Sequence, residues 1–168
     1  QSRYRYGGVD LGYDFVSDPG MAGDGDKRDP DASDPGDFSG DASSGHGYHM
    51  AGTIGATGNN ALGVAGINWN SKIVPVRVLG RCGGYMSDII DGIYWAVGVS
   101  VPNAAPNPYP AQVKVINMSL GGGYACPDIM QTAIDLARVH GAVVVAAAGN
   151  SGQDAANFMP GSCSGVIT

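Results

Sequence analysis

The stretch SSGHGYHMAGT, Ser43 to Thr53, sets His46 between two glycines, with His49 three residues on. Those glycines would let a substrate backbone approach the imidazole, while Met50, Ala51 and Ile54 continue as one face of a helix. A histidine on the first turn of a helix meets the positive end of the dipole. That favours the neutral imidazole, the form that accepts a proton as general base. Taken alone, a histidine that only caps or packs is the simpler reading. Metal ligation by His46 and His49 lacks the further ligands and the Glu of the zinc-protease pattern. Asn150 follows Gly149, a pair that by itself reads as a turn. The third group is acidic: Asp24, Asp26, Asp29 and Asp31 offer hard oxygen ligands at short spacing, with Gly25 allowing a sharp turn. Either calcium or plain solvation would satisfy such a loop, and the fixed Gly and final Glu of an EF-hand are absent.

The elements that must position these groups are regular from Lys72 onward. Lys72–Leu79, KIVPVRVL, reads as a strand, and Ser87 as the N-cap of a helix with Ile89, Ile93, Ala96 and Val97 on one face. Val113–Ser119 is the next strand, after a Pro- and Asn-rich loop from Val101 to Pro110. Cys126-Pro127-Asp128 opens a second helix whose stripe is Ile129, Ala133, Ile134 and Ala137, with Gly141 at its C′ position. Ala142–Asn150, AVVVAAAGN, is a continuous apolar strand of the kind buried on both faces. Alternating strands and helices predict an α/β fold, a mostly parallel sheet with helices on both faces. In such sheets reactive groups gather at the carboxyl ends of strands, where Ser119 and Asn150 both stand. Asp24–Asp37 has no apolar period and is a loop, within an acidic segment of about residues 14–41.

Composition narrows the function. A chain of 168 residues, 43 % apolar and 14 % charged, supports one globular domain. Its formal charge of -6 argues against a nucleic-acid partner. No apolar run approaches the roughly 20 residues that span a bilayer. QSRYRYGGVD lacks the layout of a signal peptide, so an exported protein would be seen here in processed form. Three cysteines is an odd count, so at least one is free or pairs elsewhere.

GHGYHMAGTIGA resembles the histidine motif of the subtilisin-like serine proteases, G-H-G-T-H-V-A-G-T. Three more stretches are similar to that family in the same order: VAGINWNSKIVPVRVLG (Val64–Gly80), VINMSLGG (Val115–Gly122), and VVVAAAGNSG ending at Gly152. GYDFVSDP and the acidic loop resemble the exported subtilases of Gram-negative bacteria. The resemblance covers nearly the whole chain and implies residues 1–168 are the front and middle of a three-layer subtilisin-like catalytic domain, incomplete here. It implies a secreted serine endopeptidase acting on polypeptides, monomeric by default, with His46 as general base and Asn150 as oxyanion donor, the two converging at the rim of the sheet. Ser119, Leu120 and Gly121 would bond to an extended substrate, flanked on its other side by Gly83, Gly84 and Tyr85. The small walls Ala147, Ala148 and Gly149 would leave room for a large apolar side chain before the scissile bond. Calcium would be held by the acidic loop and at a second site by the Asn60 side chain with the carbonyls of Leu62 and Val64. Cys126 and Cys163 would be joined, leaving Cys82 over.

The chain also departs from the family pattern. The nucleophile motif G-T-S-M-A-x-P is absent, and Ser162 and Ser164 in GSCSG lack its context, so the serine is expected on a C-terminal segment outside this sequence. The orienting aspartate is either Asp10 in VDLG or a residue upstream of Gln1. Tyr48 and Met50 stand where the family pattern has Thr and Val. The competing expectation is a non-catalytic subtilase-like module that binds extended peptides along Ser119–Gly123.

Overall fold

The computed structural model describes residues 5–6, 9–10, 12–37 and 43–168. The chain divides into two compact units, Gln1–Asp88 and Ile89–Thr168.

In the first unit, β1 (Arg5–Tyr6) and β2 (Val9–Asp10) pair antiparallel, while β3 (Tyr13–Asp14) pairs parallel with β4 (Val76–Arg77). Tyr13, Phe15 and Val16 follow as the buried core, with the Tyr13 and Phe15 rings 4.8 Å apart. The short helix α1 (Pro19–Ala22) interrupts the predicted acidic loop. Its start was legible in Asp18-Pro19: the Asp18 carboxylate accepts the N–H groups of Gly20 at 2.8 Å and Met21 at 3.1 Å. Beyond it residues 24–37 are irregular, as expected, and residues 38–42 of the predicted loop lie outside the described residues. Buried charge ties this loop down. Arg28 Nη2 donates to Asp88 Oδ1 at 2.5 Å and its Nε to the Phe15 carbonyl at 3.1 Å, while Ser17 donates twice to Asp88 Oδ2.

Helix α2 (His46–Gly55) follows, with the left-handed Gly45 as its N-cap. Its last carbonyls are satisfied by a neighbouring segment rather than by a cap. The N–H groups of Gly66, Ile67 and Asn68 donate to Ala56, Thr53 and Ile54 at 2.8, 3.0 and 2.9 Å. That approach is possible because position 66 is glycine: a Cβ there would stand 2.3 Å from the Ala56 nitrogen. The strand predicted over residues 72–79 shortens to β4, since Pro75 has no N–H to give a ladder and offers only its carbonyl, to Tyr13 at 3.2 Å.

Helix α3 (Met86–Ala96) carries the chain into the second unit and starts one residue before Ser87, which therefore lies inside the helix and is not its N-cap. Its predicted stripe of Ile89, Ile93 and Ala96, continued by Val97, is buried. The second unit is a three-stranded parallel sheet in the order β5 (Val115–Met118), β6 (Val143–Ala146), β7 (Val166–Ile167), with helix α4 (Asp128–Val139) crossing from β5 to β6. Two expectations are corrected here. Ile129 is 57 % exposed and Met130 takes its place in the core with Ala133, Ile134 and Ala137, because the buried stripe turns by one residue. β6 is not buried on both faces: Val144 is 1 % exposed but Val143 is 45 %, so burial alternates along the strand. Cys126 and Cys163 form a disulfide with Cα atoms 5.0 Å apart, as the resemblance implied, and Cys82 is free and exposed. Among the described residues no helix is long and apolar enough to cross a membrane.

Candidate active site

In the second unit, β5 and β6 run parallel in the register Met118↔Ala146, and the last bond between them is Ala147 N–H to the Met118 carbonyl at 3.3 Å. Beyond that point the two segments separate, and the gap becomes an open cavity of about 350 Å³. It is lined by Ser119, Leu120, Gly121, Ala147, Gly149 and Asn150, whereas Ala148, expected as a wall, is not among its lining residues. Gly149 turns the chain with φ +95°, a conformation that side chains other than glycine rarely adopt, and the exposed Asn150 follows it into the cavity wall. A carboxamide there can donate to an oxygen that gains negative charge.

The far end of the Ser119–Gly123 segment is already engaged. Gly122 donates to the Met159 carbonyl at 3.0 Å and accepts from the Met159 N–H at 3.1 Å. Gly122 is therefore paired within the chain. Phe158, beside Met159, also lines the cavity, and sequence reasoning missed it. It follows a short 3₁₀ turn, Ala155–Asn157, capped by Asp154, and nothing in its spacing points to the cavity.

In the first unit His46 is the first residue of α2, as expected, and is exposed. The segment that leads into it is held by Asp37, another group that sequence reasoning missed. The Asp37 carboxylate accepts the Ser43 hydroxyl at 2.7 Å, the Ser44 N–H at 2.8 Å and the Ser44 hydroxyl at 2.7 Å. Ser44 Oγ in turn accepts the His46 N–H at 3.2 Å. The bond from Ser43, then those from Ser44, hold the Asp37 carboxyl well below the ordinary carboxylate range. The backbone of Asp10 lies in β2, and its side chain falls outside the described residues. Gly83 and Gly84 sit at a tight turn closed by Gly80 N–H to the Gly83 carbonyl at 2.8 Å, with Tyr85 exposed next to them.

The acidic residues do different jobs. Asp24 pairs with Arg77 Nη1 at 2.6 Å, and backbone and Arg77 contacts outweigh its desolvation to lower its pKa. Asp29 accepts the Asp31 N–H, and Asp31 accepts the Ser33 N–H at 2.9 Å. Desolvation, then the charges of Asp29 and Asp24, raise the Asp26 carboxyl above its ordinary value. Among the described residues no three His, Cys, Asp or Glu side chains converge as a metal site would require. The Asn60 loop offers a different donor set. Left-handed Asn59, Ala61 and Gly63 alternate along it, and residues 57–65 line an open surface hollow of about 180 Å³. Asn60 Oδ1 accepts the Leu62 N–H at 3.1 Å. Backbone and amide oxygens of this kind suit a hard cation.

The profile of the subtilase family matches residues 9–168. The chain is 46 % identical to an extracellular basic protease of Dichelobacter nodosus and 48 % identical to an extracellular protease of Xanthomonas campestris pv. campestris, with 94 % and 93 % of this chain covered. It spans 28 % of the length of each of these relatives. Among solved structures, a protease of Pseudoalteromonas arctica superposes with a TM-score of 0.87 at 51 % identity, over 93 % of this chain and 48 % of that one. The α/β architecture with its parallel strands, the ordered motifs and these similarities agree: the chain belongs to the subtilase family.

Proposed function

We propose that the chain is part of a secreted serine endopeptidase that hydrolyses peptide bonds through a Ser-His-Asp triad, with the nucleophile serine on a segment outside these 168 residues. His46 takes the proton of that serine hydroxyl as its oxygen bonds to the substrate carbonyl carbon, and then gives the proton to the leaving amine as the C–N bond breaks. Asn150 donates to the oxyanion formed between these steps. The substrate lies extended along Ser119, Leu120 and Gly121. The orienting carboxylate is Asp10 or a residue upstream of Gln1.

The observation that carries this reading is the cavity past the ends of β5 and β6, which collects Asn150 with Ser119–Gly121, Ala147 and Gly149. The extracellular names of the relatives and the Cys126–Cys163 disulfide, a bond that persists in oxidising compartments, support secretion. The Asn60 loop supports bound calcium, at Asn60 with the carbonyls of Leu62 and Val64, and the carboxylates of Asp26, Asp29 and Asp31 are the second candidate set. Asp24 is a weaker ligand candidate because Arg77 already neutralises it. At either site the ion would lock a loop and take no part in proton transfer.

Labelling with a fluorophosphonate probe followed by intact-mass measurement tests the reading. The expected result is one covalent adduct on a serine of a G-T-S-M-A segment, abolished by His46→Ala. Removing one oxyanion donor lowers kcat by about 10²–10³-fold, a magnitude that itself comes from a subtilisin, and Asn150→Ala should show it. The open cavity beside Ser119–Gly121 also fits a second reading, a non-catalytic peptide-binding module. A full-length protein that takes no label but binds an extended peptide would support that alternative instead.

A further inference from the structure

We infer that Asn150 is a site of spontaneous deamidation driven by the Ser151 backbone nitrogen, and that the reaction removes the oxyanion donor; the second part rests on the peptidase reading above. The sequence holds no Asn-Gly pair and two Asn-Ser pairs, Asn70-Ser71 and Asn150-Ser151. Asparagine is thermolabile, and a small residue after it leaves its own nitrogen open to attack on the preceding carboxamide, so both pairs are chemically competent. The fold separates them. Asn70-Ser71 is tied into a turn: the Asn70 N–H donates to Asn68 Oδ1 at 3.0 Å, and the Ser71 N–H and hydroxyl donate to the Asn68 carbonyl at 3.4 and 2.9 Å. The attacking nitrogen of that pair is therefore engaged. Asn150 and Ser151 are both exposed and both line the cavity past β5 and β6. Among the described residues neither the Asn150 carboxamide nor the Ser151 N–H has a hydrogen-bond partner. Left-handed Gly149 and Gly152 flank the pair, at φ +95° and +62°, and a Cβ on Gly152 would meet nothing within 4 Å. The pair has both the open space and the adaptable backbone that ring closure requires.

The Ser151 nitrogen loses its proton to solvent and bonds to Cγ of Asn150; the bond from Cγ to Nδ2 breaks, and Nδ2 leaves as ammonia, carrying a proton from solvent. Water then opens the cyclic imide at one of its carbonyls, giving aspartate or isoaspartate. Water is the only co-reactant, and nothing is oxidised or reduced. Either product sets a carboxylate where an N–H donor is required. An ionised carboxylate only accepts hydrogen bonds, and its charge repels the oxyanion.

Full-length protein carrying His46→Ala, which on the peptidase reading cannot digest itself, is kept in alkaline buffer beside wild type, and peptides of both are mapped by mass over time. The expected result is replacement of NH2 by OH at Asn150, faster at higher pH, with Asn70 converting about 2–10-fold more slowly, the factor for giving up one ordinary hydrogen bond. Ser151→Val, which crowds the attacking nitrogen, should slow Asn150 and leave Asn70 unchanged. In either protein, Asn150 that stays intact, or converts no faster than Asn70, overturns the inference. Hydrolysis of a peptide p-nitroanilide by aged wild type should fall in step with the converted fraction, and Asn150→Asp should lose about 10²–10³-fold in kcat. Conversion at Asn150 with hydrolysis undiminished overturns the second part. Fresh protein that neither hydrolyses the substrate nor takes the fluorophosphonate label defeats the peptidase reading, and the mass map then decides the modification by itself.

Discussion

Arg77 is 7 % exposed, and its guanidinium is shared among the carboxylates of Asp14 and Asp24, the Ala22 carbonyl and, at 3.7 Å, Asp34. Arg77→Met keeps an unbranched side chain but withdraws the only positive charge in this group of contacts. Asp24 and Asp34 keep 23 % and 32 % of their side chains in water and can rehydrate, but Asp14 is fully buried. After the substitution Asp14 retains the Val16 N–H at 2.6 Å and little else, so the variant leaves a buried carboxylate without its counter-ion. Removing one partner of a buried ion pair costs about 3–5 kcal/mol. For units of this size that lowers the thermal midpoint by about 10 °C or more.

The penalty should also depend on pH. Burial pushes the Asp14 carboxyl up to about 6, against the lowering effects of the Val16 N–H and Arg77. The folded state therefore binds a proton that the unfolded state has released, and this group's contribution to stability falls as pH rises from about 4 to about 6 and is constant above. Without Arg77 the carboxyl titrates higher still, so the variant can relieve its buried charge by protonation at pH 5 but not at pH 8. Urea denaturation followed by circular dichroism at the two pH values should give the larger loss at pH 8. The double variant Asp14→Asn with Arg77→Met should recover a good part of it, because both charges then leave together. A loss below about 1 kcal/mol at pH 8, or a double variant no more stable than Arg77→Met, refutes the argument.

Replacing both Cys126 and Cys163 by Ser opens a covalent loop of sequence separation 37, for which chain entropy predicts a loss of roughly 4 kcal/mol, read as a lower denaturant midpoint. Gly66→Ala drives a methyl group into the Ala56 backbone nitrogen at the end of α2, where neither side can yield. It should cost about 1–3 kcal/mol, and amide exchange should show the loss first at the α2 C-terminus. EDTA should lower the thermal midpoint if calcium is bound, by the equivalent of about 2.7 kcal/mol when the ion was present at a hundredfold its Kd. An unchanged midpoint would mean that the Asp24–Asp31 and Asn60 loops are only solvated.

Local pattern alone was enough for the main elements from α2 to β6, but not for the short strands β1, β2, β3 and β7 or for α1. The stripe of Ile89, Ile93, Ala96 and Val97, the Ala133-Ile134-Ala137 face of α4, the parallel pairing of β5 with β6 and the start of α2 at His46 all follow from periodicity, caps and connection length, which act over a few residues. The lengths of the strands did not follow, because a ladder extends only as far as its partner does, and that partner lies tens of residues away. Nor did the distant pairings. Arg77 meets Asp14 across 63 residues of chain and Arg28 meets Asp88 across 60, so Asp14, at the edge of the acidic segment, and Asp88 are internal counter-ions. Phe158, a single aromatic in an unpatterned turn, became a cavity wall only because Met159 bridges to Gly122. Sequence spacing records which residues share one face of one element. Which charges lose their water, and which ring closes a cavity, depends on segments far apart in the chain being brought into contact.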